Sequence, residues 1–333
     1  MLRSLYSAIS GMGVHQSKLN VIGNNISNVN TYGFKSSRVV FSDVLYQNVR
    51  SSMAGQNQVV EGVNTGGVNP SQLGYGVKVS SIDKIMTNAS GADTGRSMDI
   101  FIDGDGFFIV NTKSTTDPEI AYTRVGALNF DSAGNLVDGN GSLIMGTTSS
   151  IDLASDPIMQ EEALSMSETL LNSSETDDYG NPIIAVPSDP VGDPTNPTET
   201  GANGIISNIQ LSPAILNEVT GISIQQDGAI TGIINGEPLT LGYIAVATFG
   251  NPDGLNQSGN SYYQQANASG DAQIMGAGEG TAGTIVSGAL EMSNVDLSRE
   301  FTEMITAQRG FQANSRIVTV SDSILEELVN LKR

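Results

Sequence analysis

Apolar residues recur at every third or fourth position at both ends of the chain. Near the N-terminus the recurring positions are Leu2, Leu5, Ile9, Met12, Leu19, Ile22 and Ile26. Near the C-terminus they are Leu297, Phe301, Met304, Phe311, Val318, Ile324 and Leu328. This spacing is that of a coiled-coil seam and predicts an amphipathic helix at each end, with Asp296 or Ser298 as the N-cap of the second. Neither helix is stable alone in water, so its apolar face should pair with the other helix or with copies in other chains.

The middle of the chain changes to short apolar stretches separated by Gly, Asp and Asn. Segments 99–110, 126–145 and 222–234 each place a turn sequence between such stretches, and 242–249 has the pattern of a buried strand. In 222–234 the pair Asp227 and Gly228 lies between β-branched residues, which is a strong hairpin signal. The patterns predict an all-β domain formed by 76–145 together with 212–289.

Two further stretches have neither pattern. Segment 50–75 is rich in Ser, Gly, Asn and Gln, which predicts an extended linker. Segment 146–211 combines a possible short helix at 159–171 with a Pro-, Asp- and Thr-rich stretch at 189–204, which is typical of an exposed insert.

These elements predict an α+β fold that is mainly β. The N-terminal helix belongs to 1–49 and the C-terminal helix to 290–333. Because both ends are helical and the middle is β, we expect a nested arrangement. The two helices form a coiled coil, the all-β domain is the middle, and a small inserted domain lies farthest from the helices.

The composition excludes several kinds of chemistry. The 333 residues contain no Cys and a single His, His15. Disulfides, thiolate metal sites and Cys nucleophiles are therefore impossible, and one His cannot build a two-His metal site. No catalytic, cofactor or metal residues are predicted, and His15 is interpreted as a polar residue on the flank of the first helix.

The formal net charge of −20 is concentrated in the middle of the chain, since no Lys or Arg occurs from Val125 to Ser298. Residues 1–50 instead contain five basic side chains and one acidic side chain. An acidic surface favours solubility and opposes nucleic-acid binding. No apolar run approaches the roughly 20 residues of a membrane span, and the N-terminus lacks the apolar core of a secretory signal, so membrane insertion is not expected.

Two short motifs are weak signals. The sequence GEGTAG at 278–283 is followed by a strand-like segment rather than a helix, and DGDG at 103–106 lacks the later ligands of a calcium loop. From the residues alone, an extracellular acidic adhesin and a carboxylate-dependent hydrolase stay open beside a structural polymer subunit. The adhesin lacks aromatic residues for sugar stacking, and the hydrolase lacks a marked carboxylate pair.

Four segments carry a resemblance to a known family. They are NNISNVNTYGFK at 24–35, GDGFFIV at 104–110, YTRVG at 122–126 and GALEMSNVDLSREFTEMITAQRGFQANSR at 288–316. In these segments the chain resembles the bacterial flagellar rod, hook and hook-associated protein family. The signature positions are Asn24, Asn25, Asn28, Gly33, Phe34, Gly106, Phe107, Gln308, Arg309, Gln312 and Asn314.

Within that family the chain is most similar to a hook subunit. The segment NPSQLGYGV at 69–77 and the insert at 146–211 carry this similarity. A distal rod-type subunit is the alternative, because the insert is short for a hook subunit. The resemblance implies self-assembly into a tubular hook, the flexible universal joint between motor rod and filament.

The resemblance also implies positions and partners. The terminal helices would form a coiled coil at the inner radius, the β domain the middle layer and the insert the outer domain. The implied partners are a homopolymer of the chain itself, the hook cap protein, the distal rod protein, the hook–filament junction protein and the flagellar export apparatus. The implied location is the extracellular flagellum, reached without a cleaved signal peptide.

Overall fold

The computed structural model describes residues 2–54, 66–112, 119–147, 206–211, 216, 219–234 and 237–331. The chain divides into two compact units. The helical unit consists of Met1–Val29, Ser36–Ile85 and Val295–Arg333, and the β unit consists of Asn30–Lys35 and Met86–Asn294. Both units therefore combine segments from the N-terminal and C-terminal parts of the chain.

The helical unit contains two long helices and four strands. Helix α1 spans Leu2–Ser27 and helix α2 spans Leu297–Asn330. Strand β1 (Ser37–Asp43) pairs antiparallel with β4 (Val77–Lys84), and β2 (Tyr46–Arg50) pairs antiparallel with β3 (Ser71–Gly74). Neither of the two described helices has a stretch long and apolar enough to cross a membrane.

Strands β1 to β3 correct two expectations. Segment 1–49 was expected to be helical, but α1 ends at Ser27 and 37–50 forms β1 and β2. Val39, Val40 and Phe41 favour a strand because β-branched and aromatic residues pack well on a pleated surface. Segment 50–75 was expected to be an extended linker, but β3 pairs with β2. Such pairing depends on a distant strand, which local composition does not reveal.

Asp296 caps helix α2. Its Oδ1 accepts hydrogen bonds from the backbone N–H groups of Ser298 at 2.9 Å and Arg299 at 3.2 Å. These contacts satisfy two donors that lack partners at a helix start. Of the two N-caps expected from the sequence, the structure selects Asp296.

The β unit is built mainly from antiparallel strands. Their bounds are β5 Gly91–Asp93, β6 Ile100–Asp103, β7 Phe107–Thr112, β8 Glu119–Thr123, β9 Leu128–Phe130, β10 Leu136–Asp138, β11 Leu143–Thr147, β12 Ser207–Asn208, β13 Thr220–Ile224, β14 Ala229–Ile234, β15 Glu237–Thr248, β16 Asn256–Gly259, β17 Tyr262–Gln264, β18 Gln273–Gly276, β19 Thr284–Ser287 and β20 Ala289–Glu291. Within the described ranges, twelve of them join in one sheet along the path β13-β14-β15-β11-β7-β8-β17-β16, with β9, β10, β12 and β18 attached. Strand β6 pairs with β19, and β5 pairs with β20.

Strand β7 lies inside this sheet and is buried on both faces. Phe108 and Val110 pack in one hydrophobic cluster, whereas Phe107 and Ile109 pack in another. The alternation follows from the two-residue period of a strand. The strands predicted in 99–110, 126–145, 222–234 and 242–249 are confirmed, as is a mainly β fold with a helix near each end.

Most of the predicted insert, including 159–171 and 189–204, lies outside the described residues. Its last residues correct the boundary placed at 211. Strand β12 pairs with β11, and Ile206, Ile209 and Leu211 are buried in the two clusters of the β unit. Contacts with strands much earlier in the chain therefore assign 206–211 to the β unit.

Candidate functional site: the paired helices and a buried ion cluster

Helices α1 and α2 pack against each other in antiparallel directions. The Nζ of Lys18 lies 3.2 Å from Oε2 of Glu303, and the side-chain amide of Asn25 donates a 3.1 Å hydrogen bond to Glu300. Nearer the start of α1, His15 faces Gly310, and Gly11 faces Asn314 on α2. Residue numbers therefore increase along α1 while the numbers of the facing residues on α2 decrease, as antiparallel packing requires.

The contact between the helices includes small and polar residues, since Gly11 lies against Asn314 and Gly310 lies against His15. The buried residues of α1 are Ala8, Gly11, Val14, Ile22 and Asn25, and those of α2 are Ala307 and Ser321. Small residues let two helix backbones approach closely. His15 also belongs to this contact, because its Nδ1 is buried, and this corrects its interpretation as a flank residue.

The apolar seam expected from the sequence therefore divides into three groups. Ile22 is buried, whereas Leu5, Met12, Leu19, Ile26, Met304 and Val318 are half-buried. The exposed members are Ile9, Leu297, Phe301, Phe311, Ile324 and Leu328. Nothing is described for the side chain of Leu2. Periodicity located an apolar face on each helix, but most of the large apolar residues expected on α2 stay exposed in the single chain.

Partial burial changes the pKa values of the two glutamates at this contact, Glu300 and Glu303. Burial raises the pKa of Glu300, and the hydrogen bond from Asn25 opposes this effect. Burial also acts to raise the pKa of Glu303, but the hydrogen bonds and charges of Lys18 and Arg299 outweigh it, so the pKa of Glu303 lies below its ordinary value.

The exposed apolar residues of α2 lie on two sides of the helix. Leu297, Phe301 and Ile305 are spaced by four residues, and Phe301 and Ile305 are 51% and 59% exposed. Toward the C-terminal end, Ile317, Val320, Ile324, Leu328 and Leu331 are also exposed. Twelve residues separate Ile305 from Ile317, which is about three and a third turns, so the second group faces a different direction from the first.

The β2–β3 hairpin is a second exposed apolar surface of the helical unit. All residues of both strands are exposed. The large apolar residues here are Val44, Leu45, Tyr46, Val49, Met53, Leu73 and Tyr75. A two-stranded hairpin with both faces open is marginally stable in water. The sequence patterns placed β2 in the segment of the N-terminal helix and β3 in a linker, so they did not indicate this surface.

The signature residues of the helical unit have different surroundings. Asn25 is buried and fixes the start of β1, since its side chain donates to the carbonyl of Ser37 at 2.8 Å and accepts from the N–H of Ser37 at 3.0 Å. Asn28 donates to the carbonyl of Asn24, and Asn314 lies against Gly11. The exposed signature residues are Asn24, Gln308, Arg309 and Gln312. Only some signature positions therefore support the fold of a single chain.

In the β unit, all four signature segments meet at a buried ion cluster, since they contain Lys35, Phe107, Arg124 and Glu291. The Nζ of Lys35 lies 2.6 Å from Oε1 of Glu291 and donates to the carbonyl of Thr87 at 2.9 Å. The guanidinium of Arg124 lies 3.6 Å from Oε2 of Glu291 and stacks over the ring of Phe107 at 5.1 Å. The exposed fractions of the three charged side chains are 3% or less. Two buried cations thus share one buried carboxylate.

Burial controls the titration of this cluster. It lowers the pKa of Lys35, with a further lowering by the charge of Arg124, while Glu291 acts in the opposite direction. It also lowers the pKa of Arg124, against the carboxylates of Glu291 and Asp105. Burial raises the pKa of the neighbouring Tyr263 to about 12. The cluster therefore carries an electrostatic cost that its single carboxylate only partly offsets.

Backbone contacts next to the cluster also join the N-terminal and C-terminal signature segments. The N–H of Gly33 donates to the carbonyl of Glu291 at 2.9 Å, and Gly33 has a φ of +66°. Phe34 is buried beside it. Lys35, Arg124 and Glu291 were not among the predicted positions. The signal that could have indicated them is that each lies in one of the four signature segments.

Comparison with known proteins identifies the family. Models described as "Flagella basal body rod protein", "Flagellar hook protein FlgE/F/G D1 domain" and "Flagellar basal body rod FlgEFG protein C-terminal" match residues 5–35, 101–232 and 286–331. The chain is 39% identical to the flagellar basal-body rod protein FlgG of Bacillus subtilis over the full length of both proteins. The chain belongs to the flagellar hook and rod protein family. It is also 31% identical to the flagellar hook protein FlgE of Borreliella burgdorferi over the full length of both, and 30% identical to FlgG of Buchnera aphidicola over 99% of this chain and all of that protein.

This family consists of structural proteins of the flagellum. Its three matched ranges contain all members of the ion cluster, with Lys35 in the first, Phe107 and Arg124 in the second and Glu291 in the third. Among the described residues, no group of three or more His, Asp or Glu side chains is arranged to hold a metal ion.

Gly106→Ala is expected to destabilise the β unit by about 2–5 kcal/mol. Gly106 has a φ of +136°, and a Cβ there would lie 2.4 Å from Cγ1 of Val246. Urea unfolding of the full chain, followed by far-UV circular dichroism, measures the loss. The control is Gly141→Ala, where φ is +83° but the space around the Cβ is open, so only backbone strain of about 1 kcal/mol is expected. Equal losses in the two variants would contradict the steric explanation.

Proposed function

We propose that this chain is a self-assembling structural subunit of the flagellar axis and that it builds the hook. The observation that carries the proposal is the apolar surface on α2 that the chain's own α1 leaves uncovered. Side chains such as Phe301, Ile305 and Leu328 are between 46% and 59% exposed. Exposed apolar patches on a folded protein mark surfaces that other molecules cover.

Other copies of the same chain are the proposed cover. The two groups on α2 face different directions, so one partner helix cannot cover both. In a tubular polymer each helix pair is surrounded by equivalent pairs, and both groups become buried. Burial of about 25 cal/mol per Å² of apolar surface, repeated along a tube, is sufficient to drive association. The exposed residues of the expected seam are proposed to act here, between copies.

The hook is proposed over the distal rod because of the segment NPSQLGYGV at 69–77. The insert at 146–211 was the other reason to expect a hook subunit. One observation favours the rod as a second candidate. The alignment with FlgG of Bacillus subtilis extends over 336 residues and covers both proteins, so it has little room for gaps. The alignment with FlgE of Borreliella burgdorferi extends over 452 residues. The insert therefore does not distinguish the two positions.

The proposed partners follow from the position in the flagellum. A hook subunit would contact copies of itself, the hook cap protein, the distal rod protein and the hook–filament junction protein, after passage through the flagellar export apparatus without a cleaved signal peptide. The proposed role is mechanical, with no catalytic step and no cofactor. The terminal helices are proposed to lie at the inner radius and the insert at the outer surface.

Deletion of the gene in the source bacterium tests the proposal. Electron microscopy of isolated basal bodies should show complete rods without hooks, and cells should lack filaments. Incomplete rods would assign the chain to the distal rod instead. Normal flagella in the deletion strain would contradict both positions.

A further inference from the structure

Two reciprocal steric contacts connect α1 and α2. A Cβ on Gly310 of α2 would lie 2.5 Å from Cε1 of His15, and a Cβ on Gly11 of α1 would lie 2.7 Å from Nδ2 of Asn314. Each helix thus supplies one glycine notch and one side chain that fills the notch of the other helix. On both helices the notch and the side chain are four residues apart, so they lie on the same face. By contrast, Gly13 and Gly23 of α1 have open space around their Cβ positions.

The ring of His15 is held by packing rather than by hydrogen bonds. It lies edge-on to the ring of Phe41 on β1, with the ring centroids 6.0 Å apart. Its Nδ1 is buried and has no hydrogen-bond partner among the described residues. The ring therefore acts in this contact mainly through its shape.

The polar contacts farther along the helices agree with one register. From Gly11 to Asn25 is fourteen residues on α1, and from Asn314 back to Glu300 is fourteen residues on α2. The Gly11–Asn314 contact and the Asn25–Glu300 hydrogen bond therefore belong to a single alignment. A slip of one helical turn would set His15 against Thr306 or Asn314 instead of Gly310, and neither position provides a notch.

We propose that His15 with Gly310, and Asn314 with Gly11, form a register lock that pairs α1 with the α2 of its own chain. Apolar residues at three- and four-residue spacing pack against many partner helices, whereas polar residues and close steric contacts select one alignment. A polymer that brings many identical helices together requires such selection. The lock pairs each helix correctly and leaves the exposed apolar side chains of α2 available to other copies.

The test uses full-length variants expressed in the deletion strain. Its readout is the number of hooks or rods counted by electron microscopy, and only this readout rests on the proposed function. Gly310→Ala is expected to reduce assembled structures about tenfold or more, because overpacking shifts such equilibria by that order. Combining it with His15→Ala removes the clashing ring and should restore assembly to within about twofold of His15→Ala alone. Gly13→Ala is the matched control and should assemble like the wild type.

Thermal unfolding of purified Gly310→Ala at several protein concentrations separates pairing within a chain from pairing between chains. The loss in melting temperature should be the same at every concentration, since His15 and Gly310 of one chain then clash with each other. A loss that appears only at high concentration would overturn pairing within the chain. Assembly of Gly310→Ala at the level of Gly13→Ala would overturn the lock itself. If deletion leaves the flagella normal, the proposed function fails. Thermal unfolding of the four purified variants then decides whether the lock exists. Their melting temperatures should follow the same order as the assembly levels expected above.

Discussion

Replacing Glu291 with Gln is expected to destabilise the β unit by roughly 3–5 kcal/mol, because it leaves Lys35 and Arg124 buried without their shared carboxylate. Gln keeps the size and shape of the side chain, so the loss reports charge rather than packing. Lys35 and Arg124 come from segments that are 89 positions apart, and both contact Glu291 near the C-terminal end of the β unit. Hydrogen exchange of the full chain, read in peptides from β7, measures the change in the free energy of unfolding.

The matched control for this variant is Asp83→Asn in the helical unit. Asp83 pairs with Arg38 at 3.6 Å, and the Arg38 side chain is 65% exposed. An exposed ion pair contributes no more than about 1 kcal/mol, so this variant should unfold almost like the wild type. Comparable losses in the two variants would mean that burial does not set the strength of the ion cluster.

The deficit of the Glu291→Gln variant is expected to shrink as the pH rises toward 10. Burial already lowers the pKa of Lys35, and Glu291 opposes that lowering. Without the carboxylate the pKa of Lys35 falls further. A base with a lowered pKa in the folded state gains stability as the pH rises from that pKa toward its ordinary value. A deficit that is constant between pH 7 and pH 10 would indicate that Lys35 is not the source of the loss.

Replacing both Ile324 and Leu328 with Asp is expected to abolish assembly and swimming while leaving the single chain almost unchanged. Both side chains are exposed, at 39% and 46%, so the stability of the single chain should change by about 0.5 kcal/mol or less per site. In the proposed polymer the same positions are buried between copies, where an unpaired charge costs several kcal/mol. Electron microscopy of cells and sedimentation of the purified chain measure the two effects separately.

The control for the assembly variant is Glu326→Gln combined with Glu327→Gln. These residues lie in the same turns of α2 and are exposed, but their replacement removes no apolar surface. Cells with this control should swim. Swimming cells with the Ile324 and Leu328 substitutions would contradict the role of this side of α2 in assembly.

The periodicity of apolar residues predicted correctly that the two helices exist, but it predicted less well which of their residues touch. It predicted a helix at each end, and α1 and α2 are present. It did not identify the face through which they meet, because an a/d pattern counts Leu, Ile and Phe and ignores Ala, Gly and Ser. The observed contact includes Gly11 and Gly310. Close approach of two backbones depends on small residues, which carry no hydropathy signal.

Strand prediction succeeded where turn chemistry was strong. Asp227 and Gly228 form the turn between β13 and β14, with Gly228 at a φ of +82°. It failed for β2 and β3, which are polar in composition and pair across a long separation in sequence. It also placed 206–211 in the insert, although Ile209 is fully buried in the β unit.

Local pattern was therefore sufficient to establish the two helices, most of the strands, the absence of thiol chemistry and the signature segments of the flagellar hook and rod family. Each of these depends on neighbouring residues or on composition. Tertiary structure decided which helix faces meet, which apolar residues stay exposed, and that Lys35, Arg124 and Glu291 share one buried cluster. These features depend on distances between residues separated by up to 303 positions, as for Gly11 and Asn314. Burial and electrostatics act through space, so only the folded chain brings such groups together.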